Sequence, residues 1–272
     1  THELLEQLSN QLGIARGEIG YAGMKDRRAV TFQWISLPRR VEERLEGLEV
    51  DGFSLHECVA HTSKLRRGQL EGNQFRIRIR GGHLIDGNSL AKALEAISLS
   101  GVPNYFGPQR FGREGYNVRR GLQLLRKEKK EKNQFLRNLY LNSVQSALFN
   151  RVVGLRVEDG LFSTLLRGDV LQDRSTHLSS ICSEPLLDRA RFEEDKLSIM
   201  APLFGVKCPK SKDEVEQREL KVLNEFSLKL NDFSDFARVV PGERRPLRLI
   251  PKNCRFESIQ GNWDVSFSLP AG

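Results

Sequence analysis

The sequence has few cysteines, and they lack the spacings that would join them into a structural site. The four cysteines, at positions 58, 182, 208 and 254, include no CxxC pair. His56 lies two residues before Cys58, but no second pair follows to complete four tetrahedral ligands. We therefore expect reduced thiols, as in intracellular proteins, and neither a disulfide framework nor a metal site.

Long apolar runs are absent as well. No stretch of about 18 apolar residues occurs, so the sequence predicts no transmembrane helix. No secretory signal is visible at the start of the chain, which disfavours export. Together these two absences predict a cytoplasmic protein that does not associate with membranes.

Signatures of common cofactor and hydrolase chemistry are also missing. The sequence contains no GxGxxG dinucleotide fingerprint, no GxxxxGK(S/T) phosphate loop and no GxSxG nucleophile elbow. Dinucleotide-dependent, ATP-dependent and serine-hydrolase chemistries therefore have no support from motifs.

Negative charge is in shorter supply than positive charge. The chain has 43 Lys and Arg residues against 35 Asp and Glu residues, a net charge of +8, in 272 residues. The resulting pI of about 9.5 makes a polyanionic partner plausible.

Hydrophobic periodicity predicts a mixture of helices and strands. We expect helices at about 1–13, 41–48, 89–98, 133–157 and 213–230. We expect strands at about 29–37, 53–58, 69–81 and, as a closing pair around a Gly261-Asn262 turn, 256–269. Because no regular alternation of strand and helix is present, the pattern predicts an α+β fold.

Basic residues alternate or cluster with aromatic ones in two regions. Phe75, Ile77 and Ile79 alternate with three arginines on one predicted strand, which we expect to bury the isoleucines. Lys64, Arg66 and Arg67 precede this strand, and Arg110 and Arg113 accompany the aromatic loop around Tyr105 and Phe106. Such mixtures bind looped RNA through phosphate contacts and base stacking. An ordinary solvated sheet face with core aromatics explains the same pattern.

Asp26 is the one carboxylate with a suggestive setting. It lies in a glycine-punctuated loop beside Lys25, Arg27 and Arg28, whose charges favour its ionised form. An ionised, positioned carboxylate can act as a nucleophile or a base. A structural turn cap is the alternative, and spacing alone does not choose between them.

Six ordered blocks resemble the TruD-type tRNA pseudouridine synthases. The blocks are AGMKDRRAVT (22–31, followed by Gln33), HTSKLRRG (61–68), LEGNQF (70–75), GVPNYFGPQRFG (101–112), SALFN (146–150) and FSLPAG (267–272). The resemblance implies an enzyme that isomerises a tRNA uridine to pseudouridine, at position 13 of the D arm. It implies no cofactor and no metal.

The resemblance also assigns roles to residues. Asp26 matches the family's indispensable aspartate, as a nucleophile at ribose C1′ or base C6 or as a base at the ribose. Asn73 and Phe75 match the family's active-site positions, with Phe75 stacking on the target base and Asn73 forming a hydrogen bond near the aspartate loop. We also expect Lys25 at the active site. Contacts to tRNA phosphates are expected from Lys64, Arg66, Arg67, Arg110 and Arg113.

The implied fold is a mixed, mostly antiparallel sheet with helices, into which an α/β TRUD domain is inserted. The catalytic domain would comprise residues 1–101 and 248–272, and the insertion residues 102–247. Family members carry further strands before the opening helix, so we expect this chain to be part of a longer protein.

We expect the protein to be a monomer. The alternatives are a tRNA-binding or tRNA-folding protein without catalysis, and a hydrolase using Asp26.

Overall fold

The computed structural model describes residues 1–26 and 28–270, except for the side chain of His83. Arg27 of the first motif and the last two residues of the closing motif lie outside the described residues. The helices are α1 His2–Leu12, α2 Gly87–Ser100, α3 Tyr116–Leu125, α4 Gln134–Glu158, α5 Pro185–Glu193 and α6 Asp213–Glu225. The short 3-10 helices are Arg16–Glu18, Arg39–Arg44, Gly82–Leu84, Pro108–Phe111, Arg113–Gly115 and Leu230–Phe236.

Within residues 1–26 and 28–270 the strands are short for the most part and form four small sheets. They are β1 Gly20–Tyr21, β2 Ile35–Ser36, β3 Gly72–Ile79, β4 Val102–Pro103, β5 Val170–Asp173, β6 Ser179–Ile181, β7 Leu197–Leu203, β8 Glu243–Pro246, β9 Arg248–Leu249, β10 Lys252–Ile259 and β11 Asn262–Pro270. The sheet orders are β1-β2, β10-β11-β3, β4-β9 and β6-β5-β7-β8. The pairs β1-β2, β4-β9, β5-β6, β5-β7 and β7-β8 are antiparallel. The predicted α+β class is confirmed.

The predicted helices at 1–13, 89–98 and 133–157 match α1, α2 and α4. Their ends have typical helix-terminal chemistry: Gly13 ends α1 at φ 60°, and the Asp86 and Asn133 side chains accept hydrogen bonds from the first turns of α2 and α4. The charged helix predicted over 213–230 ends earlier, at Glu225.

The strand predictions of the first sixty residues are wrong. Of the predicted strand 29–37 only Ile35–Ser36 pairs, and Val30 and Phe32 are 90% and 70% exposed. The segment 53–58 forms no strand, and the predicted helix 41–48 is the 3-10 helix Arg39–Arg44. Apolar β-branched and aromatic residues favour a strand, but a strand also needs a hydrogen-bonded neighbour.

The long predicted strand 69–81 corresponds to β3, but its two faces differ from the expectation. Ile77 is 48% exposed, so it is not buried as predicted. Arg78 donates two hydrogen bonds, of 2.7 and 2.9 Å, to the Asp264 carboxylate of β11. Asp264 is only 2% exposed, so Arg78 pairs with a buried carboxylate. The arginine face of β3 is therefore not fully solvated as expected. The closing strands turn at Gln260 and Gly261, one residue before the predicted turn.

The chain divides into two compact units, Thr1–Arg76 together with the chain from Ser268 onward, and Ile77–Phe267. In the first unit, Leu5, Leu8 and Leu12 of α1 form a core with Ile14, Ile19 and Val41. In the second unit, α4 lies at the centre of the core and buries residues on two sides, Val144 and Leu148 among them.

Within residues 1–26 and 28–270, no helix combines the length and the apolar character needed to cross a bilayer.

Candidate active site

The loop that follows β1 carries Asp26, and two hydrogen bonds fix the residue before it. The Lys25 ammonium donates to Asn73 Oδ1 at 2.9 Å, and the Lys25 backbone N–H donates to Thr1 Oγ1 at 3.0 Å. Lys25 is half-buried, whereas Asp26 is exposed. The loop therefore presents the carboxylate to solvent while its neighbour ties it to β3.

The beginning of β3 contributes the aromatic side of the site. Asn73 and Phe75 are half-buried, while Gln74 between them is exposed, as expected for side chains that alternate along a strand. Because Lys25 binds Asn73, the Asp26 loop meets the face of β3 to which Phe75 belongs. Gly72 is required here, since a Cβ atom would lie 2.4 Å from the Leu269 carbonyl oxygen.

The basic segment 61–68 packs against the same loop. The Gly68 N–H donates to the Ala22 carbonyl at 2.8 Å, and the Leu65 N–H donates to Ser36 Oγ at 2.9 Å. Gly20 allows this approach, since a Cβ atom there would lie 2.5 Å from the Leu65 carbonyl oxygen. Three of the sequence motifs, 22–31, 61–68 and 70–75, thus meet in the first unit.

The cations of this segment remain exposed, although two have partners in the protein. Arg67 donates to the Tyr21 hydroxyl at 2.6 and 3.1 Å, and its guanidinium lies 5.3 Å from the centroid of that ring. Lys64 donates to the Gly17 carbonyl. The Arg66 N–H donates to Gln69 Oε1, and the Arg66 side chain is exposed.

The remaining predicted cations lie in the second unit, where the 101–112 and 146–150 motifs meet. The Asn150 amide exchanges two hydrogen bonds of 2.9 Å with the backbone of Phe106. Ser143 Oγ donates to the Arg110 carbonyl, and Arg110 Nε donates to Ser146 Oγ. Arg113 is 94% exposed, and its one ion pair among the described residues is with the adjacent Glu114 at 3.8 Å. The aromatic loop is therefore held firmly on α4.

Sequence reasoning missed the residues that support these loops. Thr1, Tyr21 and Ser36 each hold one motif segment through a hydroxyl group. Asn104 and Arg245 form a hydrogen bond of 2.7 Å across 141 positions of the chain. No local pattern signals such partners, because each bond joins segments that are distant in sequence.

The thiols, imidazoles and carboxylates of the described residues form no group of three or more that could hold a metal ion. The four cysteines are unpaired. Burial raises the pKa values of Cys182 and Cys208 to about 11, which keeps both thiols protonated and unreactive near neutrality.

Comparison with known proteins agrees with the motif pattern. The family model of tRNA pseudouridine synthase D (TruD) matches residues 1–134 and 130–272. The chain is 38% identical to tRNA pseudouridine synthase D of Thermus thermophilus over 276 residues, covering 100% of this chain and 75% of the relative. It is 34% identical to the Anaeromyxobacter sp. Fw109-5 protein of the same name over 278 residues, covering 100% and 78%.

The fold is also shared with a solved structure. A crystal structure from Methanosarcina mazei that carries the TruD designation superposes with a TM-score of 0.81 at 21% identity, covering 100% of this chain and 82% of that one. At that identity the likeness concerns the fold alone. The family model and the relatives go further, since they match the whole chain: this chain belongs to the TruD family.

Proposed function

We propose that this chain converts a uridine of tRNA, at position 13 of the D arm, into pseudouridine with Asp26 as the catalytic nucleophile or base. Membership of the TruD family supports the reaction. The hydrogen bond between Lys25 and Asn73 supports the site most directly, because it joins the aspartate loop to the strand of Phe75. We further expect a cytoplasmic monomer.

The reaction rearranges atoms without adding any. The bond between N1 and C1′ breaks, the uracil turns, and a bond between C5 and C1′ forms. The proton that leaves C5 is balanced by the one that N1 gains. Attack of Asp26 on C1′, attack on C6, and proton abstraction at the ribose all require an ionised and accessible carboxylate. The exposed Asp26 carboxylate is accessible for each of them.

Phe75, Asn73 and Lys25 serve the same reaction in different ways. The half-buried phenyl ring of Phe75, two positions after Asn73 on β3, is suited to stack on an unstacked base. Asn73 and Lys25 hold each other, so they position the loop from which Asp26 projects. Each side chain also retains donors for a ribose or uracil oxygen.

The exposed cations are suited to hold the rest of the RNA. Lys64, Arg66 and Arg67 follow one another on the segment that packs against the aspartate loop. Arg110 and Arg113 project from the aromatic loop of the second unit. Cations of this kind bind phosphates mainly by charge and counterion release, so tRNA affinity should fall steeply with salt.

We also propose that residues 102–247 form an inserted domain. The chain enters this segment through β4 and leaves it through β9, and these two strands pair with Val102 opposite Leu249. The Asn104 N–H donates to the Leu247 carbonyl, and the Asn104 amide donates to the Pro246 carbonyl. A segment whose two ends are neighbours can be inserted into another domain without displacing its strands.

The direct test incubates the full-length protein with unmodified tRNA transcripts and maps pseudouridine by carbodiimide modification and primer extension. We expect one new pseudouridine, in the D arm. Binding of tRNA without conversion would instead indicate a non-catalytic tRNA-binding protein. A pseudouridine elsewhere would retain the reaction and contradict the position.

A further inference from the structure

Two arginines face the same phenylalanine ring in the second unit. The guanidinium carbon of Arg245, on β8, lies 4.5 Å from the Phe106 ring centroid, and that of Arg110 lies 5.4 Å from it. Hydrogen bonds from Asn150 fix the Phe106 backbone, and Ser146 accepts from Arg110. The two guanidinium carbons therefore lie within about 10 Å of each other, around a ring whose backbone is hydrogen-bonded to α4.

Arg245 lacks acceptors for most of its donors. It gives one hydrogen bond, of 2.7 Å, to Asn104 Oδ1, and its buried Nε–H has no acceptor among the described residues. A guanidinium carries five N–H donors, and leaving the buried Nε–H of Arg245 unmatched is costly.

The described residues also provide no ion pair for either arginine. Glu243 lies near enough to favour the charge of Arg245, but the two side chains form no ion pair. Burial and the charge of Arg110 lower the pKa of Arg245. The pair is thus a local excess of positive charge that an anion would relieve.

We propose that Arg110 and Arg245 together bind one phosphodiester group of the RNA backbone, a contact that rests on the proposed function and adds Arg245 to the RNA-binding residues. The forked guanidinium matches the oxygen atoms of a phosphate. Arg110 is exposed, so RNA can reach the pair from solvent. Both guanidinium groups lie within cation–π distance of the Phe106 ring, so one aromatic side chain contacts both cations.

The test measures the affinity of the full-length protein for an unmodified tRNA transcript at several salt concentrations. The variants are Arg110→Gln, Arg245→Gln and the double substitution. We expect each single variant to raise Kd roughly tenfold, as for loss of a charged hydrogen bond. If both bind one phosphate, the double variant should raise Kd by clearly less than the product of the two single effects. For the double variant, the slope of log K against log salt concentration should be smaller in magnitude than that of the wild type by about one.

Controls separate this contact from unspecific effects. Arg189→Gln removes an exposed arginine of α5 that is paired with Glu193, and it should leave Kd unchanged. Arg245→Lys keeps the positive charge but loses the forked pair of donors, so it should weaken tRNA binding. This variant still tests the contact if Arg245→Gln does not fold. Thermal unfolding of each variant checks its fold.

Unchanged affinity in both single variants would overturn the proposal. A double variant whose Kd rises by the full product of the two single effects, and whose slope of log K against log salt changes by about two, would also overturn it. That result would indicate that the two arginines bind separate phosphates. Inorganic phosphate could instead raise the temperature of thermal unfolding of the wild-type protein but not of Arg110→Gln. If this happened while Arg110→Gln bound tRNA with unchanged affinity, the pair would bind a free ion, and the RNA contact would be overturned. If the wild-type protein binds tRNA without making pseudouridine, and the variants still weaken binding, only the proposed function fails.

Discussion

At the scale of single residues, the site depends on contacts between distant positions. Lys25 and Asn73 are 48 positions apart, and their 2.9 Å hydrogen bond joins the aspartate loop to β3. The hydroxyl of Thr1 holds the backbone of Lys25 from a third segment. A loop fixed at the residue next to Asp26 limits where the carboxylate can go, which is the preorganisation that catalysis requires.

Phe75 offers a prediction about stacking. Phe75→Ala should remove a base-aromatic stack, which is worth about 1–3 kcal/mol. The free energy of tRNA binding, or the activation free energy that sets kcat/KM, should become less favourable by that amount. Single-turnover pseudouridine formation with each variant measures this. Phe135→Ala is the matched control, because Phe135 is 73% exposed at the start of α4. A rate equal to that of the wild type would return Phe75 to a purely structural role.

The sequence proposes candidate site residues, but it does not reveal the contacts that support them. Asp26, Asn73 and Phe75 lie in short motifs whose residues resemble a known family. Their roles remain predictions. Arg245 and Tyr21 carry no such signal, because their partners Asn104 and Arg67 are reached only after folding.

At the scale of secondary-structure elements, the turn between β5 and β6 depends on one carboxylate. Asp173 Oδ1 accepts from Ser175 Oγ and from the backbone N–H groups of Ser175 and Thr176, and Oδ2 accepts from Arg191. Hydrogen bonds from Ser175 and Thr176 hold the pKa of Asp173 well below its usual range. The ionised form therefore stabilises the turn.

This lowered pKa predicts how stability depends on pH. The folded pKa lies below the unfolded value near 4, so the contribution is present above about pH 4 and is lost as the pH falls toward the folded value. Asp173→Asn should lower the urea midpoint at neutral pH, and the difference from wild type should shrink below about pH 4. An equal difference at neutral and acidic pH would exclude a role for the charge.

Helices were predicted from sequence better than strands. The capping residues and the helical spacing of apolar residues in α2 and α4 are local features. Each segment by itself therefore contains what is needed to predict its helix. The segment 29–37 has the composition of a strand, yet only Ile35 and Ser36 pair, opposite Tyr21 and Gly20. Pairing depends on a partner elsewhere in the chain, which composition does not supply.

At the scale of the whole molecule, the motifs fall into two groups. Those at 22–31, 61–68 and 70–75 meet in the first unit, and those at 101–112 and 146–150 meet in the second. The sequence predicted an α+β fold and its family, both of which are confirmed. The domain boundaries at 101 and 248 stay a prediction, supported by the pairing of β4 with β9.

The core of the second unit contains a buried ion pair, Arg244 with Glu219. Their side chains are 5% and 9% exposed, and the closest N–O distance is 2.5 Å. Arg244→Met should lower the free energy of unfolding by about 3–5 kcal/mol, because the buried Glu219 carboxylate loses its cation and keeps only the hydrogen bond from Ser211. Chemical denaturation measures this loss. The double variant Arg244→Met with Glu219→Leu should recover most of it, and failure to recover would show that packing dominates.

Pseudouridine formation by Asp26→Asn tests whether Asp26 carries out the isomerisation. This substitution keeps the shape of an exposed side chain and removes its charge. Asp51→Asn makes the same chemical change at another exposed aspartate of the first unit. We predict that Asp26→Asn binds unmodified tRNA with nearly wild-type affinity and forms no pseudouridine, while Asp51→Asn forms it at the wild-type rate. Pseudouridine formation by Asp26→Asn at a rate near that of the wild type would contradict the account.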